Sequence, residues 1–222
     1  MIHVHYFITR KAGMDEAEFH RYWREVHAPI VKRIPQLRRY LQSHRIPAPN
    51  TTSTYDGVAE VMVDGLGTLP EIQRTTEYLE GALADESNFI DLTRVEWMVT
   101  RDHVMNDIPP EGLVKGVFQL RAKPGLTHLD FRKHWQTTHA EVALKMPGLK
   151  RYVQSHLVDE AYNYARPQFD GVAHVYFDSA QALTDSFESP AGKKDMADGG
   201  KFIDMANLKF FMAREHVVID AR

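Results

Sequence analysis

The sequence predicts an α+β fold: two tandem ferredoxin-like βαββαβ units packed sheet to sheet as a pseudo-dimeric α+β barrel. The 222 residues form two similar halves whose motifs recur in the same order. Within each half, the spacing of apolar residues switches between two, typical of strands, and about 3.6, typical of helices. A sheet that carries both helices on one face leaves its other face bare. Two tandem copies can bury those bare faces against each other.

Matched motifs define the repeat, most of them at one offset of 112 residues. A stretch rich in proline and acidic residues separates the halves, as breaker chemistry predicts. The predicted organisation is a first repeat unit at 1–106, a linker at 107–112 and a second repeat unit at 113–222. The matched motifs are Phe19, Trp23, His27 and Ala28 with Phe131, Trp135, His139 and Ala140; residues 35–44 with 147–156; Asp56-Gly57-Val58-Ala59 with Asp170-Gly171-Val172-Ala173; and Phe89-Ile90-Asp91 with Phe202-Ile203-Asp204.

Each element of the first repeat follows from its local pattern. Ile2–Ile8 alternates between apolar and other residues and predicts a strand with one apolar face. A helix opens near Asp15, with an apolar stripe that includes Phe19 and Trp23, and Pro29 is placed to kink it. The remaining predictions are strands at 40–46 and 55–63, a second helix at about 69–83 and a fourth strand at 92–101.

The composition narrows the classes of function. The chain is 43% hydrophobic and 26% charged and has no long apolar run, which is typical of a soluble globular protein with no membrane partner. A net charge of −3 with interspersed signs predicts no nucleic-acid partner. The absence of cysteine excludes disulfides, thiolate nucleophiles and cysteine-based zinc sites. The N-terminus does not resemble a secretory signal, so a cytoplasmic location is expected. A small-molecule substrate is the expected partner, with room for a homodimer of the tandem chain.

Polar side chains are predicted to line the space between the two sheets. If the apolar side of each strand meets the helices, the alternate residues must point the other way. Many of them are polar, which implies a ligand-holding cavity, since an unpaired buried polar group costs about 1–3 kcal/mol. The alternative is that these groups pair with one another. The residues predicted to bind substrate are His5, Gln42, Glu60 and Arg94 in the first repeat, and Lys115, Gln154 and His174 in the second.

Histidines are the predicted acid–base groups, because the pKa of imidazole lies near neutrality. His44 and His156 each end a Tyr-x-Gln-x-His run, which places Tyr40 or Tyr152, a glutamine and a histidine on one strand face. His27 and His139 follow a tryptophan by four residues on the first helix of each repeat. The predicted catalytic residues are therefore His44, His156, Tyr40, Tyr152, His27 and His139. A purely structural role is the alternative for each histidine.

The pattern of the second repeat argues against a metal site. His3-x-His5 offers two imidazoles from one strand face, with Glu60 or Glu96 as a third ligand. The second repeat has Lys115 and Val117 at the positions of the two histidines, and the sequence contains no phosphate-binding or dinucleotide-binding glycine motif. We therefore expect no metal and no cofactor.

The motifs together resemble the EthD family of the dimeric α+β barrel superfamily. The resemblance rests on Phe19, Trp23 and the run His27-Ala28-Pro29, then on residues 35–40, 56–60 and 89–91, and it covers nearly the whole chain. It implies a cleft between helices and sheet in each repeat, lined by His27, Tyr40, His44 and their counterparts. Relatives in that superfamily include cofactor-free cyclases, dehydratases, lactone isomerases and quinone-forming monooxygenases.

Three functional hypotheses follow. The first is a cofactor-independent acid–base enzyme, whether isomerase, dehydratase or lyase, or ester hydrolase. It would act on a small keto- or enol-bearing metabolite of aromatic catabolism or polyketide-type metabolism. The second is a cofactor-free monooxygenase of a phenolic substrate. The third is an accessory protein that binds a small molecule without transforming it.

Overall fold

A computed structural model describes residues 1–163 and 166–221 and shows an α+β fold with antiparallel strands. Strands and helices follow one another in the predicted order along both repeats. The strands are β1 (Ile2–Ile8), β2 (Arg39–Ile46), β3 (Gly57–Val63), β4 (Glu96–Asn106), β5 (Val114–Leu120), β6 (Arg151–Leu157), β7 (Gly171–Phe177) and β8 (Lys209–Asp220). Within the described part of the chain, no helix is long and apolar enough to cross a membrane.

The helices of the first repeat, and the first helical run of the second, are interrupted by π-helical segments. In the first repeat, α1 (Glu16–Tyr22), a π segment (Trp23–His27) and α2 (Ala28–Val31) form one run. The others are α3 (Thr68–Ile72), a π segment (Glu77–Leu83) and α4 (Ala84–Phe89); α5 (His128–His134), a π segment (Trp135–His139) and α6 (Ala140–Ala143); then α7 (Ala180–Glu188) and α8 (Pro190–Phe202). Segments of π-helix are rare in proteins, and those that occur often lie at functional sites.

The chain divides into two compact units by packing. Unit 1 contains residues 1–45, 54–99 and 215–222, and unit 2 contains residues 46–53 and 100–214. In unit 1 the strands follow the hydrogen-bonded order β4–β1–β3–β2, with the last part of β8 beside β2. In unit 2 the order is β8–β5–β7–β6, with the last part of β4 beside β6. Because β4 and β8 each belong to both units, packing does not divide the chain at the same residues as the repeat does.

The first helix starts and packs as the sequence predicts. The side chain of Asp15 caps α1 by accepting hydrogen bonds from the backbone N–H groups of Ala17 and Glu18. Phe19 and Trp23 then pack with Ile8, Phe89 and Ile90 in the core of unit 1. These contacts fix one face of β1 against the helices, so Val4, Tyr6 and Ile8 lie on the helix side and His3 and His5 on the other.

The structure corrects the predicted direction of the Tyr-x-Gln-x-His runs. Tyr40, Gln42 and His44 point toward the helices rather than away from them, and Tyr152, Gln154 and His156 do the same in unit 2. The physical reason is the π segment, where the Trp23 carbonyl accepts the backbone N–H of Ala28 five residues on and also the Gln42 side-chain amide at 2.8 Å. The helix thus requires a polar partner from the helix-facing side of β2.

Three predicted boundaries differ from the structure by four residues or more, and one of them is the end of the fourth strand, at Asn106 rather than at residue 101. The fourth strand begins at Glu96 rather than at residue 92, because Asp91 accepts a hydrogen bond from the backbone N–H of Thr93 and caps a 3₁₀ turn at Leu92–Arg94. The second helix continues past residue 83 to Phe89. This extension has a functional consequence, since it carries Asp85 and Glu86 beside the cavity described next.

Candidate active site

Unit 1 contains an apolar cavity of about 510 Å³ between its sheet and its helices. Most of the lining is aliphatic or aromatic, and it includes Trp23 and Trp97. The polar residues that line it are few: Tyr6, His27, Tyr40, Gln73, Tyr78 and Glu86. A pocket with apolar walls and a small number of convergent polar groups is the usual form of a small-molecule site.

His27 and Asp85 form a dyad at the wall of this cavity. His27 Nδ1 lies 2.9 Å from Asp85 Oδ2, and Asp85 Oδ1 accepts further hydrogen bonds from the Tyr22 hydroxyl at 2.7 Å and from Asn88 at 3.0 Å. Since Asp85 engages Nδ1, the imidazole is left with Nε2 to exchange a proton with a ligand. This is the arrangement in which a carboxylate orients a histidine base.

The electrostatics of the dyad favour a neutral imidazole opposite an ionised carboxylate. Burial lowers the pKa of His27, and the neighbouring Asp85 offsets only part of that effect. Burial by itself raises the pKa of Asp85, but the hydrogen bonds from Tyr22, His27 and Asn88 outweigh it and leave the pKa below its ordinary value. At neutral pH His27 is therefore ready to accept a proton.

Tyr40 is held so that its hydroxyl can only donate. Its oxygen accepts the indole N–H of Trp23 at 3.0 Å and the side-chain amide of Gln42 at 3.0 Å. Both lone pairs of a phenol are then used, and its own O–H proton remains for a group inside the cavity. Burial raises the pKa of Tyr40 to about 12, so the phenol keeps that proton at neutral pH.

His44 acts on Tyr40 through Gln42. His44 Nε2 lies 3.0 Å from Gln42 Oε1, an oxygen that only accepts, so the proton of His44 resides on Nε2. The ring also stacks on Trp23 with 4.4 Å between centroids. Burial, together with the nearby His20 and His216, lowers the pKa of His44 to about 2. His44 is thus a neutral residue that orients an amide.

Glu86 is an acid in the same cavity. Burial, together with the negative charge of Asp85, raises its pKa to about 7. Burial also raises the pKa values of Tyr6 and Tyr78 above the ordinary value of a phenol. The cavity therefore combines a neutral base with several groups that hold their protons near neutral pH.

The raised pKa of Glu86 predicts a specific pH dependence of stability. Protonation of Glu86 favours the folded state, so its contribution is complete below the unfolded pKa of about 4.5 and is lost as the pH rises through about 7. Glu86→Gln should remove this downward slope between pH 4.5 and 8. Urea unfolding of both proteins measures it, and the difference between them isolates Glu86 from the histidines, whose lowered pKa values act in the opposite direction. Parallel curves would contradict the assignment.

Unit 2 repeats the network but lacks the space. The Tyr152 hydroxyl oxygen accepts hydrogen bonds from the indole N–H of Trp135 at 2.8 Å and from the side-chain amide of Gln154 at 3.0 Å. His139 Nδ1 lies 3.1 Å from Asp198 Oδ2. The corresponding cavity measures only about 50 Å³. Its lining differs from that of unit 1: Asp195 stands where unit 1 has the smaller Ala82, Phe118 replaces Tyr6, Met146 replaces Ile34, and Phe187 and Met196 also line it.

Asp195 also changes the histidine of unit 2. Its Oδ1 lies 3.4 Å from His139 Nε2, so both ring nitrogens of His139 lie near carboxylates. Burial, together with the charge of Asp198, raises the pKa of Asp195 to about 7. Unit 2 therefore has a carboxyl group near the ring nitrogen that corresponds to Nε2 of His27.

The residues predicted from sequence lie at different distances from these cavities. Tyr40, His27, Tyr152 and His139 line them, whereas His44 and His156 lie behind the tyrosines. The predicted substrate-binding residues are absent from the described lining of both. Gln42 and Gln154 hold the tyrosines; His5, Glu60, Lys115 and His174 lie on the opposite faces of the sheets; and Arg94 lies in a 3₁₀ turn, where it donates to Thr54.

The sequence analysis missed Asp85, Glu86, Tyr6 and Tyr78. A signal for Asp85 was present, because Asp85 precedes Phe89-Ile90-Asp91 by four residues and Asp198 precedes Phe202-Ile203-Asp204 by the same interval. The repeat therefore pairs each aspartate with the histidine of its own half. No pattern in the sequence marked Glu86 or the two tyrosines.

Comparison with known proteins gives the following matches. The EthD domain model matches residues 11–93 and 123–206. No curated protein matches the sequence significantly. An anthrone oxidase-like protein superposes with a TM-score of 0.66, 9% identity and coverage of 100% of this chain and 94% of that one. A heme-binding protein from Thermus thermophilus gives a TM-score of 0.53, 11% identity and coverage of 96% and 90%.

A shorter relative matches about half of the chain. It is an ethyl tert-butyl ether D (EthD) family protein from Bacillus halodurans C-125, 24% identical, which covers 47% of this chain and 99% of its own length with a TM-score of 0.39. The anthrone oxidase-like protein and the heme-binding protein match nearly the whole of the present chain and share its fold. At identities of 9% and 11%, this similarity carries no information on activity.

Proposed function

This chain belongs to the EthD domain family, and on that premise we propose that unit 1 is a general acid–base enzyme for a small keto- or enol-bearing metabolite. The observation that carries the proposal is the His27–Asp85 dyad on the wall of a cavity of about 510 Å³. The reaction class is proton transfer leading to isomerisation, dehydration or ester hydrolysis.

The residues have complementary roles in this proposal. His27 Nε2 removes a proton from a carbon or hydroxyl next to the substrate carbonyl, and Asp85 stabilises the imidazolium that forms. Tyr40 donates a hydrogen bond to the enolate oxygen as negative charge develops there. Glu86, protonated below about pH 7, supplies a proton when the intermediate collapses. Solvent then takes the proton from His27 and returns one to Glu86, which restores both groups.

The lining favours an uncharged ligand with a ring. Lysine and arginine are absent from the described residues that line the cavity, so a substrate carboxylate would be buried without a cation. Trp23 and Trp97 offer flat apolar surface, and Trp97 is 62% exposed. A neutral aromatic or alicyclic ketone, phenol or lactone therefore fits better than an anionic open-chain acid.

We assign the reaction to unit 1 alone. Unit 2 keeps the tyrosine network, but its cavity of about 50 Å³ is too small for a ring-bearing metabolite, and Asp195 approaches Nε2 of its histidine. The network thus persists where the space for a substrate does not. A structural contribution of the network to packing explains why it is present in both halves.

A heme would fit this cavity poorly. His27 Nε2 is available as an iron ligand, as it is for any electrophile. The described lining, however, has no lysine or arginine to pair with the two propionates, and it places the carboxyl group of Glu86 there instead. The proposed reaction therefore does not use heme.

Proton exchange is the direct test of the proposal. The purified chain is incubated in D₂O with a panel of cyclic ketones, lactones and hydroxyanthrones, and loss of the proton next to the carbonyl is followed by NMR. Enzyme-dependent exchange or turnover without oxygen uptake supports acid–base catalysis. Oxygen uptake with a phenol would favour the cofactor-free oxygenase, which begins with the same deprotonation. Tight binding without exchange would favour the binding protein.

Tyr40→Phe should lower the exchange rate about 10- to 100-fold, because the hydrogen bond to the enolate oxygen is lost. The same change leaves Trp23 and Gln42 without their acceptor and costs stability. Tyr152→Phe removes the same contacts in unit 2 and is the matched control. Both variants should lose similar stability in urea, and only Tyr40→Phe should lose rate; equal loss of rate in both would contradict the role of Tyr40.

A further inference from the structure

We propose that His3, His5 and Glu60 form a site for one divalent transition-metal ion, on the face of the unit 1 sheet opposite the cavity. Each of the three residues offers one ligand atom, and all these atoms lie within 4.8 Å of one another. Two imidazoles and one carboxylate are a ligand set that zinc uses in proteins. The site is independent of the proposed acid–base chemistry and uses none of its residues.

The strand register brings the three ligands together. His3 and His5 are two residues apart on β1, so the pleat places both side chains on one face. Glu60 on β3 lies directly opposite His5 in the antiparallel pair. On the far side of β3, Ser43 of β2 donates a hydrogen bond to Glu60 Oε1 at 2.6 Å. The other carboxylate oxygen, Oε2, faces His3 Nε2 at 3.5 Å.

These distances suit a metal after small side-chain rotations. Ligand atoms about 2.0–2.1 Å from a tetrahedral zinc lie roughly 3.3 Å apart, close to the 3.5 Å between His3 Nε2 and Glu60 Oε2. The hydrogen bond from Ser43 fixes the carboxylate, which is the usual role of a group behind a metal ligand. Nitrogen donors favour zinc, cobalt or nickel over magnesium and calcium, which prefer oxygen.

The three ligand residues are buried, and unit 2 has different residues at the equivalent positions. His3 is 4% exposed, His5 0% and Glu60 1%, so the ion would be enclosed and would enter as the protein folds. In unit 2 the equivalent positions are Lys115, Val117 and His174, which cannot form the same set. The sequence-based expectation of no metal rested on this difference between the repeats. The two units differ as strongly in their cavities, so the proposal for unit 1 replaces that expectation. The expected stoichiometry is one ion per chain.

Cobalt is the most informative probe. The 222-residue chain is unfolded with chelator and refolded with or without Co²⁺. After removal of excess metal, it is measured by elemental analysis and visible absorption. One cobalt per chain with the strong d–d bands of a tetrahedral site supports the proposal. Correctly refolded wild-type protein that retains no cobalt overturns it.

Variants assign the ligands. His5→Gln and Glu60→Gln should each lower cobalt affinity at least 100-fold, and Ser43→Ala should lower it about 10- to 100-fold through loss of orientation. His174→Gln, at the position equivalent to Glu60, is the matched control and should retain one tetrahedral cobalt. If a ligand variant fails to refold, the cobalt spectrum of the wild type still decides the coordination. Loss in His174→Gln equal to that in Glu60→Gln would contradict the assignment.

Discussion

His27→Asn is expected to lower the rate of substrate proton exchange about 10²- to 10⁴-fold, the range typical of a lost general base. Asparagine has a side-chain N–H that can replace Nδ1 in the hydrogen bond to Asp85, but it has nothing that accepts a proton in place of Nε2. Ligand affinity should change little, because the apolar walls of the cavity remain. Steady-state kinetics together with a binding titration separate the two effects.

The duplication supplies the control for this experiment. His139→Asn removes the equivalent histidine of unit 2, which lines a cavity of about 50 Å³, and should leave the rate within about twofold of wild type. Asp85→Asn should lower the rate by less than His27→Asn, because the base remains but is held less well. A large loss of rate in His139→Asn would show that unit 2 is the working half or that both halves act.

Gly57→Ala is expected to destabilise the protein by about 3 kcal/mol, at the upper end of the range for overpacking. A Cβ at residue 57 would lie 2.6 Å from the Ser43 carbonyl oxygen and 2.7 Å from Cζ3 of the Trp23 ring. The first atom belongs to strand β2, which is paired with β3. The second belongs to the buried indole of Trp23, which donates a hydrogen bond to Tyr40, so neither atom can move without breaking other contacts. Urea unfolding measures the loss.

Substitutions at two further glycines serve as comparisons for Gly57→Ala. Gly171→Ala should cost about as much, since its Cβ would meet the Ser155 carbonyl oxygen and Trp135 at 2.6 Å each. Gly65→Ala should change the free energy of unfolding by less than about 0.5 kcal/mol, because nothing lies within 4 Å of its Cβ. A Gly57 variant as stable as the Gly65 variant would mean that the indole of Trp23 can shift easily.

Much of the site is visible in the sequence because the chain repeats it. Trp23, His27 and Tyr40 recur at a fixed offset, and the structure joins them in one wall of a cavity. The role of each residue is harder to predict from the sequence than its presence in the site. His44 has the residue type of a catalyst and recurs as well, yet its only side-chain hydrogen bond among those described goes to Gln42, and burial lowers its pKa to about 2.

The sequence by itself determined the duplication, the order of strands and helices and the capped start of the first helix. These features depend on short-range patterns, which neighbouring residues fix. Tertiary structure decided which face of β2 meets the helices, because the carbonyl of Trp23 in a π segment recruits Gln42. It also decided that His27 pairs with Asp85, 58 residues away, and that the cavity beside the histidine is open in unit 1 and nearly filled in unit 2. A cavity is the small difference between a large enclosed volume and the side chains that fill it. A few substitutions such as Ala82 against Asp195 therefore decide whether it exists, and only the packed structure shows which positions share that space.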